Sequence, residues 1–414
     1  MNTFEEKLDR YADLIVKKGV NVQKDQIVYI LSSIESAPYT RKLVKKSYEA
    51  GAKQVFVEWS DEEVDRTKLL LAPDEAFTEF PSWIVAGRDE MIERGAAVIT
   101  IVSQDPDMQN GVDSERIAAF QKVEGEAMNN LFTAFKTNKL SWTVVAAAGK
   151  GWAKKVFPGQ ENSLDLLWEA IFTSVRVDQE DPIQAWNDHL DNLNSKADYL
   201  TAKKYQYIHY KAPGTDLRIE LSEKHKWSAA GVKDSTGKPF VANIPTEEVL
   251  TVPLKNGVNG TVSSTKPLAY GGVGAYGGNI IEDLTLTLED GKIIHAVAKK
   301  GQEYLDHLIN VDEGSRYLGE IGLVPHHSPI SESNILFYST LFDENASNHL
   351  AVGFGIPFCI EGGEEMSVEQ LQEYGVNISQ VHADFMIGSA EMDIDGELPD
   401  GTREPIFRNG NWAF

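Results

Sequence analysis

The sequence predicts two domains of different class: an α/β N-terminal domain with a mostly parallel sheet, residues 1–204, and a β-rich α+β C-terminal domain, residues 205–414. Three observations carry this. A chain of 414 residues is long for one hydrophobic core. Its first half alternates continuous apolar runs with amphipathic stretches, the pattern of a parallel sheet covered by helices. After about residue 205 the rhythm changes to strands that alternate apolar and polar residues.

Taken in order, a helix over about 3–18 ends at Gly19, and "QIVYILSS" follows as a buried strand. "YTRKLVKKSYEAGA" is a helix closing on Gly51, and "KQVFVEW" is the next strand. Two helical stretches around 61–94 lead to the strand "AAVITIVS", and a long helix near 114–136 precedes "SWTVVAAAG". The helical run from about 162 to 203 joins the second domain. There "YQYIHYK", "DLRIEL", "EVLTVPL", "LTLTLEDGKIIHAVAKK" and "VHADFMIG" are strand-like, with "EDGK" as a hairpin turn. Short helices break in near 301–310 and 367–373.

Composition excludes several functions. With 39 basic against 63 acidic residues the net charge is -24, a surface that repels phosphate backbones and argues against nucleic-acid binding. One cysteine, Cys359, leaves no internal disulfide and no Cys-rich zinc site. No apolar run approaches the roughly 18 residues of a membrane span. The opening residues form an acid-containing amphipathic pattern rather than a signal peptide, so a cytoplasmic location is expected.

Two glycine-containing stretches suggest phosphate binding and fail on context. "YGGVGAYGGN" (270–279) runs on into strand, so its amides join no helix, and "AAAGKGWAKK" lacks the Walker spacing. The first strand-to-helix turn, "LSSIESAPYT", has no glycine pair, and an α/β fold alone is no evidence for a dinucleotide. Cys359 lies in "GIPFCIEGG", with no G-x-S-x-G elbow in the chain.

The C-terminal half carries the chemistry. "QVHADFMIGS" sets His382 and Asp384 two apart in a strand, so both face one side while Val381, Ala383 and Phe385 face the other. An imidazole and a carboxylate so placed suit a divalent metal, or simply bond each other. "FDENASNHLAVG" adds Asp343, Glu344 and His349 at an expected helix start, where Asp343 or Asn345 would serve equally as a cap. "RYLGEIGLVP" buries Glu320 in an apolar run, where it needs a partner: a cation, or Arg316. "NIPTEEVLT" sets Glu247 and Glu248 side by side after a proline. Glu248, Glu320, Glu344, His349, His382 and Asp384 are all hard oxygen or imidazole donors, enough for two ions rather than one. His326 and His327 in "LVPHHSPI" are rival ligands on spacing alone.

"NIPTEEVLT", "WAKKVFPG", "RYLGEIGLVP", "LFYSTLFDENASNHLAVG" and "VHADFMIGSAEMDIDG" resemble, in order, the signature blocks of the thermophilic-type metallo-aminopeptidases, the family of aminopeptidases T and S. The resemblance runs through most of the chain and is strongest from about 240 to 396. It implies a cytoplasmic, two-domain, homodimeric exopeptidase acting on peptides with a free N-terminus. It also implies a pair of divalent ions in the C-terminal domain, zinc foremost, with cobalt, manganese or magnesium as alternatives. Carried over by position, the ligands are Glu248, Glu320 as the bridge, His349, His382 and Asp384, with Glu344 as a further ligand or close neighbour. This chain departs from relatives in the longer glycine-rich stretch at 271–278 and in Ile356, where relatives carry tyrosine.

Such a centre implies hydrolysis by a metal-activated water, with one ion polarising the carbonyl and the other holding the α-amine. A carboxylate must still move the water's proton to the leaving amine, and by analogy with other two-metal peptidases this is Glu247. In a regular strand Glu247 and Glu248 would point apart, so the assignment needs a kink after Pro245. The competing readings are another metal-dependent dipeptidase or amidohydrolase, and a metal-stabilised binding protein without turnover.

Overall fold

The computed structural model describes residues 3–229, 231–270 and 279–414. The chain divides into two compact units, one built from Met1–Leu190 and Ala230–Thr246, the other from Asp191–Ala229, Glu247–Tyr270 and Asn279–Phe414. The glycine-rich stretch at 271–278 lies outside the described residues.

In the first unit the apolar runs form a parallel sheet. Ile27–Ser33 pairs with Gln54–Ser60 on one side and Ala97–Val102 on the other, and Ala97–Val102 pairs in turn with Trp142–Ala146. Residues such as Val28, Ile30, Val98, Ile99 and Val145 are fully buried because helices cover the sheet. Met91, Ile92, Leu131 and Ala134 from two of those helices pack on Ile27, Tyr29 and Val98. The fifth strand comes from far along the sequence: Asn243–Ile244 runs parallel to Trp142–Ala146. Two residues carry no periodicity, so local pattern could not reveal this pairing. At the carboxyl end of the sheet the Lys150 N–H donates to Glu35 Oε1 at 2.7 Å. A carboxylate of the chain itself thus meets the amide that opens the short helix Lys150–Val156.

Among the described residues the second unit holds two large antiparallel sheets, besides the two-stranded pair Leu268–Tyr270 and Asn279–Ile281. One has eight strands, in the order Lys292–Val297, Thr285–Glu289, Pro253–Ser263, Thr215–Leu221, Tyr207–Ala212, Asp393–Glu397, Arg403–Arg408 and Asn411–Trp412. The other has five, in the order His382–Met386, His349–Gly353, Leu318–Leu323, Val249–Thr251 and Ser228–Ala229. Its central strand, Leu318–Leu323, is buried along its whole length. A carboxylate at Glu320 is therefore held away from bulk water on a rigid element. The "EDGK" hairpin forms as expected, with Asp290 and Gly291 at φ 47° and 79° between Glu289 and Lys292.

Gly291 is fixed by space as well as by dihedral angle, since a Cβ there would lie 1.8 Å from the Lys255 carbonyl oxygen. Gly291→Ala should therefore cost about 1–3 kcal/mol in urea unfolding, more than a surface substitution. A cost below about 0.5 kcal/mol would show that the hairpin turn is not constrained as described.

Candidate metal centre

Four of the predicted residues meet on one face of the five-stranded sheet because of its register. Glu320 lies opposite Ala351, and Ala351 opposite Asp384, so the two carboxylates flank a position that carries only a methyl group. His349 is two residues before Ala351, and His382 two before Asp384, which puts both imidazoles on that same face. Gly322 pairs with His349, and a Cβ on Gly322 would lie 2.0 Å from His349 Nε2. The ring thus lies over a glycine that must lack a side chain. Glu248 enters from the irregular segment just before Val249–Thr251.

Among the described residues, two groups of three offer ligand atoms within 4.8 Å of one another: Glu248, Glu320 and His349, and Glu320, His382 and Asp384. Glu320 belongs to both. Its Oε1 lies 3.4 Å from His349 Nε2, and its Oε2 3.1 Å from His382 Nε2. The two oxygens thus face opposite halves of the cluster, the disposition of a bridging carboxylate. His349 Nε2 is also 3.1 Å from Glu248 Oε2, and His382 Nε2 3.5 Å from Asp384 Oδ1. Asp384 Oδ1 is buried and accepts no hydrogen bond. His382 alone of the set is exposed.

Each imidazole is oriented through its other nitrogen. His349 Nδ1 is 3.0 Å from the Glu344 carbonyl oxygen and 3.1 Å from that of Ser347, and His382 Nδ1 is 2.8 Å from that of Phe354. Carbonyls only accept, so Nδ1 carries a proton in each ring and Nε2 is the nitrogen turned to the cluster, where an ion would take the place of its proton.

The electrostatics describe a centre short of positive charge. Burial raises Glu248 above its ordinary value; the hydrogen bond with His349 relieves part of this, and repulsion from Glu320 and Asp384 works against that relief. Burial also drives Glu344 well above the carboxylate range, with repulsion from Asp384 and Glu248 adding to it. Burial works against Glu320 too, but hydrogen bonds from His349 and His382 hold it at about 2. Both histidines rise well above their ordinary value: burial opposes this, and the surrounding carboxylates prevail. Protons on the imidazoles do here what a cation would do, and the donor set fits the hard or borderline divalent metals.

Glu344 feels the charges of Asp384, Glu248, His349 and Glu320 but belongs to neither group of three. Glu247 is buried beside Glu248, and neither sits in a strand, because residues 245–248 are irregular. The objection that a regular strand would separate them therefore does not arise. His326 and His327 join neither group; His327 is exposed and pairs with Glu332 at 3.1 Å. Arg316 is not the partner of Glu320, since its guanidinium bonds the Asn310 side chain instead. Asp343 precedes the 3-10 helix Glu344–Ala346, but its side chain makes no capping bond there. It ends the Thr340–Asp343 turn and accepts the Phe337 and Ser339 N–H groups at 2.9 and 3.0 Å. Ile356 packs with the apolar cluster around Leu250, Cys359 and Ile360.

The model of the thermophilic metalloprotease family M29 matches residues 4–412. The chain belongs to that family. It is 54% identical to aminopeptidase AmpS of Bacillus subtilis (strain 168) over the full length of both. It is 47% identical to aminopeptidase 2 of Geobacillus stearothermophilus, covering 100% of this chain and 99% of that one. The solved structure of wild-type AmpT from Thermus thermophilus superposes with a TM-score of 0.92 at 37% identity, covering both chains completely. The M29 chain described here is a metallo-aminopeptidase, and so a hydrolase. The resemblance in the signature blocks thus extends to the whole chain.

Sequence reading missed the residues that shape the centre without binding anything. Gly322 was visible only as a glycine two positions beyond Glu320, and Ala351 as a small residue in an apolar run. Neither signals a site until the strand register is known. Gly322→Ala should push the His349 ring aside and weaken metal binding by about 10-fold or more, as removal of other orienting contacts does. Chelator competition measures this, with circular dichroism showing the fold intact; unchanged affinity would contradict the packing described.

Proposed function

We propose that this chain hydrolyses the N-terminal residue from peptides at a centre of two divalent ions, zinc foremost. The observation that carries this reading is Glu320, one carboxylate shared by two groups of ligands through different oxygens. Charge supports the same number. Once ionised as ligands, Glu248, Glu320, Glu344 and Asp384 would bring four negative charges and the imidazoles none, which two divalent ions would balance. Glu248 and His349 would hold one ion with Glu320, and His382 and Asp384 the other, with Glu344 completing the set.

Ions bound there supply Lewis acidity, polarising a peptide carbonyl and acidifying water. The protein's own groups do the rest. Glu320 keeps its negative charge between the two halves, and the Nδ1 bonds hold both rings in their binding tautomer. Glu247 is assigned as the base that takes the proton of the attacking water and returns it to the leaving amine. Its support is its burial next to Glu248 on an irregular segment. Peptides with a free N-terminus are the substrates, and the reading includes a cytoplasmic homodimer. No described helix is long and apolar enough to cross a membrane.

Hydrolysis of amino-acid amides should cease on chelation and return with divalent metal, while N-acetylated peptides stay intact. Cleavage of the blocked peptides at comparable rates would instead favour another amidohydrolase. Glu247→Ala at full metal occupancy should lower kcat by about 10²-fold or more. Turnover near that of the wild type would remove Glu247 from the mechanism.

A further inference from the structure

The turn Glu344–Ala346 connects groups that are far apart in sequence. The Glu344 carbonyl orients His349 through Nδ1. The Asn345 side chain, fully buried, reaches in two directions. Its Oδ1 accepts the Glu247 N–H at 2.7 Å, across 98 positions of sequence. Its Nδ2 donates to the Leu341 carbonyl at 2.9 Å and to Glu344 Oε1 at 3.3 Å. The orientation of the amide follows from these partners. An N–H on one side requires an acceptor, and a carbonyl and a carboxylate on the other require donors. The backbone is held as well, since Ser328 Oγ donates to the Asn345 carbonyl at 3.1 Å.

From this we infer that Asn345 is a positioning residue of the metal centre: its amide sets where the Glu247–Glu248 segment enters and which way the Glu344 carboxylate points. The inference rests on the two-metal reading above. Residues 245–248 lie outside any strand, so no ladder fixes them, and the bond from Asn345 to the Glu247 N–H supplies a fixed point. That bond lies one residue from Glu248, whose Oε2 faces His349 at 3.1 Å. Glu344 sits among like charges, and a donor on its Oε1 offsets part of that repulsion while fixing the rotamer. Aspartate, although nearly isosteric, has no donor for Leu341 and Glu344 and adds a further negative charge beside them. Only an amide of this length satisfies all three partners.

The test compares Asn345→Ala and Asn345→Asp with the wild type by metal stoichiometry, chelator competition, and kcat and KM on an amino-acid amide at saturating zinc. Asn345→Ala should bind metal about 10- to 100-fold more weakly and keep a lowered kcat at full occupancy, with KM little changed. Should that variant not fold, Asn345→Asp decides alone, with kcat at saturating zinc reduced by about 10-fold or more. A variant with a lower melting temperature but metal affinity and kcat within about threefold of wild type would reduce Asn345 to a packing residue and overturn the inference. The wild type serves as the separate control. If it binds no metal and chelation leaves its hydrolysis intact, the two-metal reading fails first, and the inference falls with it. If its metal dependence holds and only the variants behave normally, the positioning role alone is lost.

Discussion

Carboxylates buried together repel, and the C-terminal unit gathers Glu248, Glu320, Glu344 and Asp384 around one sheet face. A group of unpaired charges in a poorly solvated place is unstable, and each must be neutralised by a proton, a cation or a hydrogen bond. The protein's solution starts from Glu320. It sits on a fully buried central strand, keeps its charge, and turns one oxygen to each half of the cluster. The orientation of both histidines, the glycine under His349 and the alanine between Glu320 and Asp384 are consequences of making room around that carboxylate.

The scaffold explains why the arrangement can be held. Antiparallel register puts Glu320, Ala351 and Asp384 in one line across three strands, and a shift of one residue would turn each of them to the opposite face. Ligands on strands are fixed by ladders; Glu248 and Glu344 are not on strands and need other restraints. Asn345 and the bonds within the Glu344–Ala346 turn meet that need. The parallel sheet of the N-terminal unit has no comparable gathering of donors among the described residues.

What could be read from the sequence divides along physical lines. Period-two alternation put His382 and Asp384 on one face, and Glu320 stood out as a charge in an apolar run, so those residues were legible before any fold was known. Their partners were less so. Arg316, near in sequence, was a plausible counter-ion for Glu320, and the actual partners are 29 and 62 positions away across a sheet. The strand Asn243–Ile244 was invisible because its pairing is long-range and its length is two residues. Asp343 read as a helix cap and proved to tie a loop. Gly322, Ala351 and Asn345 carry no chemical signature of their own; their importance is set by what lies opposite them.

The most direct test is anomalous diffraction from crystals of the zinc-loaded protein, supported by metal analysis of the same sample. The account predicts two ions per chain, one contacted by Glu248, His349 and Glu320, the other by Glu320, His382 and Asp384. A single ion, or ions that do not share Glu320, would contradict it.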